Sequence, residues 1–286
     1  MFVHAINRSG RLLRCLAAVG LVMGATTAAA VTLPGAAHAA DFAPANSATI
    51  HPGVMLQSPQ GQCTANFVFR AGGKVLIGQA AHCTGTGNDS ETDGCTSKSA
   101  PLGTKIKIQG ASEPGKLVYN SWLTMQERGE KNKDLCAYND FALVEIDSAD
   151  EDRVNPSVPA FGGPTGLHRG AVGAGATVYS YQNSSLRQGT PLASPKQGVN
   201  LSDSGGGREH EVATVSPGVP GDSGSGFLDS SGRAFGLLST LNLEPAPGTN
   251  GVADLASALD YANSNGDLGK VSLVNGTQAF HGGGLL

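Results

Sequence analysis

The chain has 286 residues, with 19 basic and 23 acidic side chains and a formal net charge of −4 at pH 7. This acidic balance argues against a nucleic-acid partner, which would require a basic surface. Only 15% of the residues are charged, 41 are glycine, and no apolar run of membrane-spanning length follows residue 40, so the composition is typical of a loop-rich β protein.

The first 39 residues predict a secretory signal peptide. Three arginines lie between residues 8 and 14, and the stretch 16–37 carries no charge. Small residues at Ala37 and Ala39 favour cleavage after Ala39. A retained membrane anchor is the alternative, but the stretch is rich in Ala, Gly and Thr rather than in Leu and Ile, which makes it a poor anchor. We therefore expect residues 40–286 to be secreted, without stable membrane contact.

The rest of the chain reads as short β-rich runs separated by Gly, Pro, Asn and Ser. The predicted strands cover residues 63–69, 74–79, 104–109, 116–119, 141–146, 177–182, 211–216, 226–228 and 234–241. Residues 155–165 contain three prolines and two glycines, and we interpret them as the linker between two β units. The pattern predicts an all-β fold.

One short helix is predicted near the C-terminus, over residues 253–263, because apolar residues recur there at helical spacing. These residues are Leu255, Ala258, Leu259 and Ala262. Residues 85–100 and 183–209 are rich in polar residues, Gly and Ser, and are predicted to be loops. Residues 266–286 are predicted to be a flexible tail.

Ser223 is the candidate nucleophile. It lies in the sequence Pro-Gly-Asp-Ser-Gly-Ser-Gly, and a serine flanked by glycines is often only a turn residue. These glycines, however, let the backbone fold tightly, so that the amides of Gly221 and Ser223 can form an oxyanion hole for an attacked carbonyl group. The motif is not Gly-x-Ser-x-Gly, because Ser225 occupies the last position, and a strand-to-helix nucleophile elbow is therefore disfavoured.

A serine nucleophile needs a base that takes its proton and a carboxylate that orients this base. A lone histidine is more often structural than catalytic, but His82 ends an apolar run and is followed by a cysteine, which places it at a strand end. Asp140 opens an apolar run, so its carboxylate would be drawn partly out of water. Asp134 and Asp147 are alternatives, but the first has no apolar strand directly after it and the second follows the strand.

The three candidates occur in the order His82, Asp140, Ser223, the first in Ala-Ala-His-Cys and the last in Gly-Asp-Ser-Gly. This order and these motifs resemble the chymotrypsin-like serine peptidases, in their secreted bacterial branch. The resemblance implies two packed antiparallel β-barrels, over about 48–158 and 159–265, with a short C-terminal helix. It also implies a monomeric serine endopeptidase that acts on proteins or peptides through these three residues and needs no cofactor.

Four of the five cysteines lie after residue 40, and an even number in an exported chain implies disulfides, with three pairings possible. The resemblance implies the pair Cys63–Cys83 and, with it, Cys95–Cys136. We expect no metal site, because no Cys-x-x-Cys motif or histidine cluster accompanies the cysteines and the acidic residues in 89–93 do not match an EF-hand loop.

The resemblance also assigns substrate-binding positions. Pro217 stands at the base of the specificity pocket, where trypsin has an aspartate, so a preference for Lys or Arg loses its physical basis. Val219 stands where a bracing cysteine is common. Ser239, Thr240 and Leu241 belong to the strand that would pair with substrate, and Leu241 would narrow the pocket. We expect cleavage after small or medium apolar residues.

The resemblance implies that Asp222 is buried and ion-paired. In the animal members of the family its partner is the N-terminus released before an Ile-Val-Gly-Gly-like sequence; no such sequence precedes the first predicted strand here, so we expect an internal cationic partner. Arg70, Arg169 and Arg187 are the candidates. Two other functions fit the same motifs: a catalytically idle barrel-fold binding protein that retains the triad, and an esterase that uses it. Reaction of Ser223 with a fluorophosphonate would separate catalysis from mere binding.

Overall fold

The computed structural model describes residues 42–87, 92–187, 193–242 and 248–283. The predicted signal peptide lies outside these residues. Within them, no helix combines the length and apolarity required to cross a bilayer.

Antiparallel strands dominate the described residues. In chain order they are β1 (Met55–Gln57), β2 (Gln62–Thr64), β3 (Val68–Ala71), β4 (Lys74–Gln79), β5 (Lys105–Ile108), β6 (Gly115–Asn120), β7 (Ala142–Glu145), β8 (Thr177–Tyr181), β9 (Pro195–Ser204), β10 (Glu209–Thr214), β11 (Gly226–Asp229), β12 (Ala234–Asn242), β13 (Thr249–Asp254) and β14 (Val271–Leu273). Each predicted strand overlaps one or two of them, whereas β1, β9, β13 and β14 were not predicted.

The first unit is an eight-stranded sheet in the spatial order β14-β3-β4-β7-β6-β5-β1-β2. Along β4, Val75 and Ile77 belong to a core on one face of the sheet, whereas Leu76 belongs to a core on the other. This alternation follows from the two-residue period of a strand. Because both faces of β4 are covered, its apolar residues form a continuous run.

The second unit is a closed barrel of six strands in the order β10-β13-β12-β11-β8-β9. Its interior is apolar and contains Val178, Val212, Phe227, Phe235, Leu238 and Val252. The predicted all-β fold of two antiparallel units is confirmed, with a closed barrel in the second unit and an eight-stranded sheet in the first.

A core shared by the two units positions the candidate site. Phe141 and Leu143 from the first unit pack in the same cluster as Leu228 and Leu237 from the second. His82 follows β4, Asp140 precedes β7 and Ser223 precedes β11. Each candidate residue therefore lies close to the end of a strand that contributes to this shared core.

The α-helices of the described chain are short. They are α1 (Ser121–Arg128), α2 (Lys133–Tyr138) and α3 (Leu255–Asn265). Each helix is preceded by a capping residue whose side chain accepts a hydrogen bond from backbone N–H groups of the first turn. The capping residues are Asn120, Asn132 and Asp254 respectively. The helix α3 confirms the predicted C-terminal helix, whereas α1 and α2 were not predicted.

The C-terminal segment differs from the predicted flexible tail. Over its described part, 266–283, β14 pairs with β3, and the ring of Phe280 lies 5.5 Å from that of Tyr179. Its apolar residues are too few and too widely spaced to form a periodic pattern, so their packing partners alone reveal this order. Similarly, β9 occupies part of the predicted loop 183–209, because β8 and β10 pair with it on both sides.

Candidate active site

Pairing of β4 with β7 brings His82 and Asp140 together, because each lies just beyond the paired residues Gln79 and Ala142. Oδ2 of Asp140 lies 2.7 Å from Nδ1 of His82, and Oδ1 accepts a hydrogen bond of 2.9 Å from the His82 backbone N–H. Both carboxylate oxygens thus hold one residue. The Asp140 side chain is only 4% exposed and that of His82 is 29% exposed, so the imidazole reaches solvent while its anchor is buried.

Ser239 supplies a further hydrogen bond to this carboxylate. Its Oγ donates to Oδ2 of Asp140 at 2.6 Å. Burial opposes ionisation of Asp140, but the charge of His82 and the hydrogen bonds from His82 and Ser239 keep the pKa of Asp140 below its usual value. Burial alone would lower the pKa of His82, but the charge and hydrogen bond of Asp140 outweigh it and raise that pKa. The pair is therefore suited to hold a proton on the imidazole.

Backbone contacts from both units hold the loop that carries Ser223. The carbonyl of Ser223 accepts a hydrogen bond of 2.8 Å from the backbone N–H of Thr64, and the carbonyl of Gly221 accepts one of 2.8 Å from Thr64 Oγ1. Gly224 donates its N–H to Leu238 O at 2.7 Å. Gly224 has φ +88°, and a Cβ there would lie 2.6 Å from the carbonyl oxygen of Thr64. The glycine after Ser223 is therefore required by both conformation and space.

The carbonyls of this loop are engaged, but two of its amides are free. Within the described residues, neither the N–H of Gly221 nor that of Ser223 donates a hydrogen bond. Buried or partly buried amides are normally paired, so two free donors in one tight loop are available to an acceptor from outside the chain. These are the two donors predicted for an oxyanion hole.

Asp222 is fully buried and has Arg187 as its partner. The guanidinium of Arg187, whose side chain is 12% exposed, contacts the Asp222 carboxylate. This carboxylate also accepts hydrogen bonds from the backbone N–H groups of Ser184 at 2.8 Å and Val219 at 2.9 Å. Of the other two candidates, Arg169 pairs with an exposed aspartate and Arg70 lies over an aromatic ring. Asp222 therefore has an internal counter-ion and stabilises the loop that precedes Ser223.

A cleft of about 790 Å³ is lined by His82, Asp140 and Ser223 together. The predicted substrate-binding residues Ser239, Thr240 and Leu241 also line it. Pro220 from the serine motif and Leu238 from the same predicted strand line it too. Further lining residues, which the sequence motifs did not indicate, include Trp122, Leu186, Gly218 and Asn250. Pro217, the predicted pocket base, is not among the lining residues, and its carbonyl accepts a hydrogen bond of 3.3 Å from Arg187.

Ser223 and His82 face the same cleft without a direct hydrogen bond between their side chains. In the described chain, neither Nε2 of His82 nor Oγ of Ser223 has a hydrogen-bond partner. Catalytic hydrogen bonds are often long or poorly aligned before substrate binds. Both reactive atoms are therefore left available on the side that faces the cleft.

Two disulfides flank the site, and both predicted pairings are formed. Cys63–Cys83 joins β2 to the 3₁₀ turn that carries His82. Cys95–Cys136 joins the segment between this turn and β5 to α2. Each group of potential metal ligands found among the described residues includes disulfide-bonded cysteines. Such cysteines offer no thiolate to a metal ion.

No protein-family model matches the chain, and the search of curated proteins found no match. Solved structures do match. Thermobifida fusca Protease A has 19% identity and a TM-score of 0.51, over 79% of this chain and 99% of that one. A glutamic acid specific serine protease, which utilizes a histidine triad in substrate binding, has 16% identity and a TM-score of 0.50, over 79% of this chain and 100% of that one.

The chymotrypsin from Cellulomonas bogoriensis is also similar, with 16% identity and a TM-score of 0.48, over 79% of this chain and 98% of that one. The first two similarities extend over nearly the whole of the matched proteins, although few residues are identical. At such identities the similarity defines the fold and leaves the chemistry to be argued from the site. The fold is that of the chymotrypsin-like serine proteases, as the sequence motifs predicted.

Proposed function

We propose that this chain, which has the fold of the chymotrypsin-like serine proteases, is a secreted serine endopeptidase that acts through His82, Asp140 and Ser223. The observation that carries the proposal is the anchoring of His82 by both oxygens of a buried carboxylate, one 2.7 Å from Nδ1 of the imidazole and the other 2.9 Å from the backbone nitrogen. The free Nε2 of that imidazole and the free Oγ of Ser223 line one cleft. A base, its orienting group and a nucleophile are thus available together.

The reaction begins when Oγ of Ser223 attacks the carbonyl carbon of the peptide bond while Nε2 of His82 takes the hydroxyl proton. Asp140 stabilises the resulting imidazolium. The C–N bond then breaks, the amine leaves with the proton from His82, and an acyl ester remains on Ser223. Water attacks this ester with His82 again as the base, which releases the carboxylic acid and restores the hydroxyl group.

The amides of Gly221 and Ser223 would stabilise the negative oxygen of each tetrahedral intermediate. Their N–H groups have no acceptor in the described chain, and hydrogen bonds from Thr64 hold the carbonyls of the same two residues. Such preorganised donors need no rearrangement when charge develops. Loss of one typically raises the barrier by about 3 kcal/mol, so the two amides would contribute a large share of the rate.

The cleft supports an apolar residue before the cleaved bond. Asp140 is the one acidic side chain that lines it among the described residues, and its oxygens are engaged by His82 and Ser239. A Lys or Arg side chain of the substrate would therefore be buried without a partner, which is costly. Leu238 and Leu241 offer apolar surface instead. We propose small or medium apolar residues at this position of a protein or peptide substrate.

The test is covalent labelling of the protein by a fluorophosphonate, with Ser223→Ala as the control. We expect one label on the peptide that contains Ser223, and cleavage of an unfolded protein substrate that stops after labelling. Absence of labelling would favour the idle binding protein. Labelling together with ester hydrolysis but no peptide cleavage would favour the esterase.

Secretion is tested separately, on protein collected from the culture medium. We expect its first residue to be Ala40, as cleavage after Ala39 predicts. Material that remains in the membrane fraction with residues 1–39 attached would contradict export as a free protein.

A further inference from the structure

We propose that Asn250 closes the specificity pocket beside Ser223 and restricts the residue before the cleaved bond to a small side chain such as Ala. The inference deepens the proposed peptidase function and rests on it. It narrows the expected preference, because medium-sized side chains such as Leu are excluded. Neither the motifs nor the predicted strands pointed to Asn250.

Asn250 lies on β13, directly opposite Leu241 on β12. It is fully buried and yet lines the cleft, in the company of Ser223 and Gly218. The strand β12 also carries Ser239, which donates its hydrogen bond to Asp140. The position of Asn250 is therefore fixed relative to the candidate catalytic residues.

The carboxamide of Asn250 spans the gap between two walls of the cleft. Its Oδ1 accepts a hydrogen bond of 2.8 Å from the backbone N–H of Gly218, in the segment that leads to Ser223. Its Nδ2 donates a hydrogen bond of 3.1 Å to the backbone carbonyl of Thr240 on β12. A carboxamide can do both because it is donor and acceptor at once. The two walls are thus cross-linked by a side chain that occupies the space between them.

The surroundings of Gly218 show how little space remains next to the Asn250 carboxamide. A Cβ added there would lie 2.4 Å from Cδ1 of Leu238 and 3.3 Å from Nδ2 of Asn250. Leu238 belongs to the core of the barrel, and its packing there resists displacement. A substrate side chain that enters between the walls would therefore meet the carboxamide after a short distance.

The mouth of the pocket is less restrictive than its floor. Leu241 is 45% exposed at the rim, and its side chain is free to move in solvent. The buried and doubly bonded Asn250 has no such freedom, because displacement would break its hydrogen bonds to the Gly218 amide and the Thr240 carbonyl. Depth rather than width should therefore set the size limit. A single methylene in a pocket changes discrimination by about 10–200-fold.

The experiment compares peptide amides that differ only in Ala, Leu or Phe before the cleaved bond. For the wild type, we expect kcat/KM to be at least tenfold higher for Ala than for Leu. In Asn250→Ala the Leu-to-Ala ratio should rise at least tenfold. The matched variant Asn250→Gln keeps the carboxamide and adds one methylene, so the Leu-to-Ala ratio should not rise. A comparable gain of Leu cleavage in Asn250→Gln would overturn a steric role.

A second variant and an independent readout guard against loss of the fold. Asn250→Ser has a shorter side chain but still offers a polar group, its hydroxyl. For each variant, Tm reports on the fold, and the rate of labelling by a small fluorophosphonate reports on Ser223. Variants that label normally but keep the wild-type ratio would overturn the role of Asn250 alone, as would a wild type that cleaves Ala and Leu substrates equally well. A wild type that neither labels nor cleaves would overturn the proposed function itself.

Discussion

Among the described residues, three histidines lie within 3 Å of an aspartate, yet their surroundings differ between the two units. In the barrel, Nδ1 of His168 lies 2.8 Å from Asp229 and Nδ1 of His210 lies 2.6 Å from Asp203. These contacts are within 0.1 Å of the 2.7 Å between His82 and its own aspartate. A short contact between histidine and aspartate is therefore no sign of catalysis by itself.

The three histidines differ in the contacts of their second ring nitrogen, Nε2. Nε2 of His168 faces the carbonyl of Ala171 at 3.3 Å, and Nε2 of His210 lies 3.2 Å from Asp254. Both rings are thus held on two sides and buried. Nε2 of His82, in contrast, has no partner in the described chain and its side chain is 29% exposed. One free nitrogen that faces a cleft distinguishes a candidate base from a structural histidine.

The largest expected effect is on turnover. His82→Ala should reduce kcat/KM by about 10⁴–10⁶-fold, because the base is lost, and Ser223→Ala should do the same. The double variant should be little worse than either, since the residues act as a unit. The control is His168→Ala, for which we expect activity within a few fold of wild type. Equal losses of kcat/KM in His82→Ala and His168→Ala, measured with one peptide substrate, would contradict the distinction between a catalytic and a structural histidine.

The converse is expected for stability. His210→Ala would leave the partly buried carboxylate of Asp203 and the buried carboxylate of Asp254 without their shared cation, which should lower the free energy of unfolding by about 3–5 kcal/mol. His82→Ala should cost less, because it leaves one carboxylate, rather than two, without a histidine partner. Urea unfolding of both variants at pH 6 measures the difference. A larger loss for His82→Ala would assign it a mainly structural role.

A smaller effect is expected from Ser239→Ala. The change removes a hydrogen bond of 2.6 Å to Asp140, and a hydrogen bond to a charged group contributes about 1.5 kcal/mol or more. We expect kcat to fall roughly tenfold with KM little changed, since the ring of His82 loses part of its anchor. Ser239→Thr keeps the hydroxyl and should restore most of the rate. An unchanged kcat in Ser239→Ala would show that His82 alone is sufficient to hold the carboxylate.

The smallest effects concern pH, and they have opposite signs in the two units. Burial lowers the pKa of His82, but the charge and hydrogen bond of Asp140 raise it above 6.5, and only neutral imidazole can accept the Ser223 proton. Activity should therefore fall as pH decreases through this raised pKa. A pH–rate profile for kcat/KM tests this expectation. A rate that does not change between about pH 5 and 9 would contradict a histidine base.

For His210, burial lowers the pKa, but hydrogen bonds and charges from Asp254 and Asp203 raise it above 6.5. A histidine with a raised pKa contributes stability that is fully present below pH 6.5 and is lost as pH rises through the folded-state value. As pH rises from 6.5 through the raised pKa values, the wild type should gain activity, whereas the stability that His210 contributes should decline. Urea unfolding of wild type and His210→Ala across this range measures the decline.

The residues of the candidate triad were predictable because each lies in a short local motif whose chemistry is readable without a structure. The strand β4 was predictable for a related reason, since its apolar run is continuous. Arg187 was not, because its contact with Asp222 spans 35 residues and two other arginines were equally plausible from sequence. A buried ion pair is a long-range choice that no local pattern encodes.

Asn250 was missed for the same physical reason. Its strand, Thr-Asn-Gly-Val-Ala-Asp, has few β-branched or aromatic residues and was not predicted. Pairing with β10 and β12 on both sides makes it a strand. The helices α1 and α2 were likewise missed, because they are only eight and six residues long and depend on their capping asparagines and on packing. Tertiary context decides such segments.

The pairing of β14 with β3 has a consequence for the order in which the molecule is completed. Residues about 200 positions apart form this edge, with Ser272 donating to the carbonyl of Arg70 across a separation of 202 residues. The second unit lies between these two partners along the chain. The outer edge of β3 therefore presents unpaired backbone groups until the segment beyond the barrel has folded back onto it. The sheet that carries His82 and Asp140 thus depends for the cover of its outer edge on a strand from beyond the second unit.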